Sequence, residues 1–400
     1  MPSFGARMRA LREAHGLSLA ALAERLPADK GHLSRLENGH RKPTDDLARR
    51  IDNVLGARGE LIANAHLDVA AAQDARPWET ADLLRRVRLS DATPATLESL
   101  QATITDLCCQ YGWRDARQLR AEGQGWLRET VRLLRQPVGL REHRELLVCA
   151  GWLALLIGCV EYDLGMRASA EATRTAARQL GEEAGHNGIV GWAWEMAAWF
   201  ALTQSRCSAA LDAARAGQEA AGSSSVTVQL IAQEAKSLGR LGDLAGVRRA
   251  LDRGRHLLDH LPAPDRPDDH FQVDPAKWSF YAMDAYRLAE DDVRAERYAA
   301  EVIEAGTAPD GVERSPMRVA EAQLTLAATA ARAGDLEHAV HTGLTAFGAD
   351  RRSLPSLLLI AGEVDAELHR RYPREPATAE FESALHVLRQ TVIGSGSPVR

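Results

Sequence analysis

Lys30, His32, Ser34 and Arg35 crowd into one short stretch and between them offer an ammonium, an imidazole, a hydroxyl and a guanidinium. On the outer face of a helix such a set can hydrogen-bond base edges in a major groove about 12 Å wide, where each base pair shows its own donor and acceptor pattern. Gly31 stands among them. Glycine costs a helix roughly 1 kcal/mol relative to alanine, so either backbone comes close to something there or a short helix is merely relaxed. Arg41 and Lys42 follow on a loop and are better placed for phosphate than for bases, a position that sets affinity more than sequence choice.

A second set recurs at helical spacing much later. Trp192, Glu195 and Trp199 share one helix face; Gln229, Gln233 and Lys236 repeat the arrangement on another, and Lys277, Tyr281 and Asp284 on a third, with Arg287 a turn further on. Aromatic platforms beside amides and charges suit an extended peptide or a small signalling molecule, with Gln bonding its backbone and Lys or a carboxylate its terminus. The plainer reading is core for the tryptophans and a solvated face for the polar rows. Lysine usage favours a site: only four of the 49 basic residues are lysines, and Lys236 and Lys277 are two of them. Arg and Lys differ in geometry and hydration, so a site wanting a compact cation keeps its Lys.

Other chemistry is set aside. His256, Asp259 and His260, with Asp268, Asp269 and His270 nearby, form a conceivable metal set, but its ligands cross a loop of unknown path. His338 and His341 lack an acidic partner at metalloprotease spacing. Neither a phosphate loop ending in Gly-Lys-Ser or Gly-Lys-Thr nor a Gly-x-Ser-x-Gly elbow occurs. No enzyme activity, cofactor or bound metal is expected.

The elements behind the first set are legible. From Leu17 to Gly39 the chain reads as two short helices joined by a tight turn, with Leu19, Leu22, Leu26, Leu33 and Leu36 where such a pair buries its inner face. Pro27 ends the first helix, Asp29 can cap the second, and Gly39 closes it. Around this core stand Met8-Arg-Ala-Leu-Arg12, Gly16, Leu22-Ala23, Leu33-Ser-Arg-Leu-Glu-Asn-Gly39, Arg41-Lys-Pro43 and a fourth helix from Leu47 through Gly56. On these residues the segment 4–66 resembles the DNA-binding domain of the Cro/C1 repressor family, the xenobiotic-response-element type. The resemblance implies a five-helix domain and adds Ser18 to the DNA-facing residues. It also implies that Glu37 pairs with Arg9 or Arg12. Relatives commonly carry Gln after the equivalent of Ser18, where this chain has Leu19.

Charge divides the chain the same way. Residues 1–65 hold 11 Lys or Arg against 8 Asp or Glu, a net of +3, so the overall −6 leaves −9 on the rest. Only the front end invites a polyanion. Because +3 is modest for one reader, a homodimer on an inverted repeat in double-stranded DNA is expected.

Four hundred residues, 45% apolar and 26% charged, require a second globular domain. No apolar segment follows a basic start, and the longest apolar run, Leu146 to Val160, is too short to cross a bilayer. Five cysteines with no Cys-x-x-Cys spacing fit a reducing, cytoplasmic compartment, and no membrane partner is expected. The expected layout is a reader at 1–66, a linker at 67–77, a helical connecting region at 78–140, an array at 141–393 and a disordered tail at 394–400.

The array announces itself in its turns. Arg240-Leu-Gly-Asp-Leu244 and Arg332-Ala-Gly-Asp-Leu336 match, and Asp163-Leu-Gly165 and Ser205-Arg-Cys-Ser208 hold the same place in two earlier pairs. The pairs predicted are 142–185, 187–221, 225–260, 275–305, 316–348 and 353–392, with loops at Pro262–Pro267 and Ala308–Gly311 absorbing the irregular spacing. No strand is predicted. Such pairs resemble tetratricopeptide repeats and imply an all-α solenoid with a concave groove. A Cro/C1-type reader before such an array looks like the peptide-sensing RRNPP regulators of Gram-positive bacteria, and the Arg- and Ala-rich composition resembles actinobacterial proteins. That resemblance implies transcription regulation of the quorum-sensing type, with an effector altering the spacing of two readers. The rival is a scaffold for a partner protein with no small effector.

Overall fold

A computed structural model describes residues 3–26, 28–39, 41–65, 93–136, 138–349 and 351–394. Every regular element among them is a helix, apart from one isolated bridge between Thr307 and Glu313. Pro27, the predicted linker at 67–77, the start of the connecting region and the tail after Gly394 lie outside the described residues. The chain divides into two compact units, Met1–Val87 and Arg88–Arg400.

The first unit holds α1 (Phe4–Ala14), α2 (Leu19–Ala23), α3 (Lys30–Glu37), α4 (Asp45–Val54) and the helical residues 60–65, termed α5. A side chain opens each of the first four: Ser3, Ser18, Asp29 and Thr44 accept from Ala6, Ala21, His32 and Leu47 N–H groups. Each such cap contributes about 1 kcal/mol, which matters for helices too short to stand alone. Phe4, Met8, Leu22, Leu33, Leu36, Ile51, Leu55 and Leu61 fill the core. Two buried carboxylates lock the frame. Glu37 takes Arg12 Nε at 2.6 Å and Nη2 at 3.0 Å, with Arg9 Nε at 3.3 Å; Asp52 accepts from the Gly59 and Leu61 N–H groups.

The second unit begins with α6 (Pro94–Cys109) and α7 (Ala116–Leu134). Six pairs follow: α8 (Leu140–Asp163) with α9 (Arg167–Ala184), α10 (Asn187–Thr203) with α11 (Cys207–Ala221), and α12 (Val226–Arg240) with α13 (Leu244–Leu258). The rest are α14 (Pro275–Leu288) with α15 (Asp292–Gly306), α16 (Pro316–Ala333) with α17 (Leu336–Ala346), and α18 (Leu354–Arg371) with α19 (Pro376–Gly394). The unit is a stack of helix pairs consistent with a solenoid. First helices of the early pairs are buried nearly all round; second helices bury one narrow stripe, in α11 nothing larger than alanine.

The turns within pairs explain the repeat. Gly242 and Gly334 adopt φ of +81° and +98°, the left-handed position that ends a helix, and the following Asp243 and Asp335 cap the next by accepting from Gly246 and His338 N–H groups. Gly165, Ser205 and Glu290 take the same left-handed place in three other pairs. Ser205 and Glu290 lack the glycine that marks this turn in sequence.

Helix α8, at 24 residues, is long and apolar enough to cross a membrane, contrary to the length argument from sequence. Burial decides instead: 83% of its apolar window is packed inside the unit, the mark of a core helix. All five cysteines are free thiols.

Candidate functional site

The outward face of α3 follows from its ends and its core side. Asp29 Oδ1 accepts from His32 N–H at 2.7 Å, fixing where the helix starts. Leu33 and Leu36 point inward and are fully buried, so Lys30 and Gly31 emerge exposed while His32, Ser34 and Arg35 are half-buried at the same surface. A Cβ on Gly31 would lie 3.1 Å from Asp29 Oδ1. The glycine therefore leaves room for the cap, a local reason that neither sequence reading of it supplied.

Burial pushes the His32 imidazole below its ordinary value, and the positive charges of Arg41 and Arg35 push the same way. It is thus neutral near pH 7, able to donate at one nitrogen and accept at the other. Arg41 N–H donates to Arg35 O at 3.2 Å, which sets the exposed Arg41 and Lys42 beside the end of α3. Ser18 is exposed and its oxygen caps α2 through Ala21 N–H at 3.1 Å; its own O–H stays available to donate.

The second set is brought together, but inside the array rather than along an open groove. Gln229 Nε2 donates to Glu195 Oε1 at 2.8 Å and lies 2.6 Å from Tyr281 OH; Gln233 Nε2 reaches the same Glu195 oxygen at 2.7 Å. The carbonyl oxygens of both glutamines are buried without a hydrogen-bond partner. Lys277 Nζ donates to the His270 and Gln272 carbonyls and lies 5.5 Å from the Trp192 ring centre. Toward the other ends of these helices, Asp284 gathers Lys236 at 3.1 Å, Arg240 at 3.2 Å and Arg287. Glu363 of α18 takes Arg240 and Arg287. Trp192 is fully buried, whereas Trp199 keeps partial exposure and donates through Nε1 to Ser356 at 2.8 Å.

Two segments that spacing assigned elsewhere cover these side chains. The loop after α13, predicted as slack, turns inward: Phe271 packs on Trp152 and Trp192 with ring centres 5.3 and 5.2 Å away, and the His270 ring lies tilted against Tyr111 at 3.8 Å. Apolar Phe271 and Val273 drive this, since both are removed from water. Helix α18 runs along the C-terminal ends of α8, α10, α12 and α14, with Arg351 Nη2 on Asp163 Oδ2 at 2.7 Å just before it. The conceivable metal set is not assembled. His256 and His260 lie exposed against each other, His270 is in the interior, and no metal cluster occurs among the described residues.

Burial shapes the ionisation here. It lowers Lys277 to about 7 and raises Glu321 to about 7. Burial would also raise Asp284, but Arg240, Lys236 and Arg287 overcome it and hold that carboxyl well below the usual range. Glu321, with Thr325 on α16, continues the row of buried polar groups; neither residue was singled out in sequence, although their spacing matches the earlier rows.

Residues 3–65 match the family model described as a helix-turn-helix domain, and such a domain suggests DNA binding. No curated protein matches the chain.

Proposed function

We propose that the chain is a sequence-specific transcription regulator of the Cro/C1 kind, with no catalytic step, whose tetratricopeptide-like array pairs with a second copy and answers to a regulatory effector. The observation behind it is the face of α3: Lys30, His32, Ser34 and Arg35 share the surface opposite Leu33 and Leu36, flanked by exposed Arg41 and Lys42. Groove width, donor chemistry and the local +3 charge suit duplex DNA. Two readers would engage half-sites about 34 Å apart.

The array supports the effector half of this reading through its interior. Glu195, Gln229, Gln233 and Tyr281 are joined by hydrogen bonds, Lys236 and Arg287 pair with Asp284, and Lys277 holds two loop carbonyls, so a molecule competing for them has discrete contacts to break. Trp192 and Trp199 flank them, and an RRNPP-like peptide or small signalling molecule is the class proposed. Selection of duplexes from a randomised pool by the full chain tests the reading. The expected winners are inverted repeats whose binding weakens steeply with salt; recovery of no shared sequence overturns it.

A further inference from the structure

A cleft of about 510 Å³ opens where α18 crosses the C-terminal ends of α10 and α12, next to the start of α9. Leu202, Leu358 and Leu359 give it apolar walls, and Arg167, Arg240 and Glu363 are its charged groups. Arg240 is nine-tenths buried. Its Nε and Nη1 donate to Glu363 at 3.1 Å and to Asp284 at 3.2 Å, while its Nη2 lies 2.9 Å from the same Glu363 oxygen without a hydrogen bond of its own. Arg167 is exposed at the rim, and no carboxylate among the described residues pairs with it.

The charge balance behind the cleft leans positive. Among the described residues Lys236, Arg240 and Arg287 contact two carboxylates, Asp284 and Glu363, and burial raises the neighbouring Glu321 to about 7. Helix α11 starts at the same mouth with Cys207, and Arg206 at its cap position makes no side-chain hydrogen bond to the first turn. Those N–H groups add a partial positive charge.

We propose that this cleft binds a small amphipathic anion, its acidic head between Arg167 and Arg240 and its apolar body along Leu202, Leu358 and Leu359. The inference deepens the effector half of the proposed function and names a ligand class for it. Because α18 forms one wall, an occupied cleft ties the last helix pair to α10 and α12.

Calorimetric titration of the full chain with decanoate, decanol and butyrate tests this. Decanoate is expected to bind once per chain, with decanol and butyrate each weaker by about tenfold or more, since one lacks the charge and the other the apolar body. Arg167→Glu, at an exposed position, should cut decanoate affinity by about tenfold or more while leaving the melting temperature in place. Leu359→Glu, on the apolar wall, should do the same. Equal binding of decanol and decanoate, or an Arg167→Glu protein that binds decanoate like the parent, overturns the proposal. DNA affinity is read separately: decanoate binding that leaves it unmoved sustains the cleft and defeats the effector reading.

Discussion

The reader unit and the array spend their polar side chains in opposite ways. On α3, Lys30 and Gly31 lie in solvent and His32, Ser34 and Arg35 at its edge, while in the array the matching rows are buried and bonded to one another. An exposed charge costs little to keep and gains little from a neighbour, so it is free to meet a partner. A buried one holds its place only while its partners remain, because their loss strands an uncompensated charge. Substitutions on α3 should therefore register in binding, and those in the array in stability.

The sharpest way to break that contrast is Asp284→Ala. It would leave Lys236, Arg240 and Arg287 facing one another with Glu363 and the buried Glu321 as the neighbouring carboxyls, and a loss of about 3–5 kcal/mol in denaturant unfolding is expected. A loss below about 1 kcal/mol would mean that the network is solvated. Glu321→Gln should act in reverse and with pH. Folding lifts this carboxyl from 4.5 to about 7, so below pH 4.5 both states are protonated and no penalty exists. Between 4.5 and 7 the unfolded chain ionises first and gains, and above 7 the penalty is complete. The variant should thus be more stable by on the order of 3 kcal/mol at pH 8 and no more stable at pH 4.

On the reader, Arg35→Ala should cost about 1–3 kcal/mol on the preferred duplex and relax discrimination, leaving the array's melting untouched. Smallest is Arg41→Ala, which should weaken all duplexes alike and lower the salt slope by about one unit in anisotropy titrations. Equal losses of discrimination from both would erase the division between base and phosphate contacts.

Legibility followed the range of the interactions. Caps, turns and helix faces are set within a few residues, and Asp29, Gly39, Gly242 and Gly334 could be read directly as punctuation. The Ser205 turn could be placed only by overlaying it on its neighbours, and the Glu290 turn left no mark, since a left-handed residue other than glycine does not show in composition. What spacing could not show was what lies on top of a helix face. Lys277 bonds carbonyls of its own preceding loop, and Glu363 reaches Arg240 and Arg287 from far along the chain. Those pairings depend on where the loop and α18 travel, which helical periodicity does not encode.

The reach of α18 has a consequence for how the second unit comes apart. Arrays built from neighbour-only contacts fray from their ends, each pair melting with little regard for distant ones. Here Arg351 joins Asp163 and Ser356 joins Trp199, linking the final pair to the first two. The two ends hold each other, so loss of the last pair unseats the first, and partial melting should give way to concerted collapse of the whole stack.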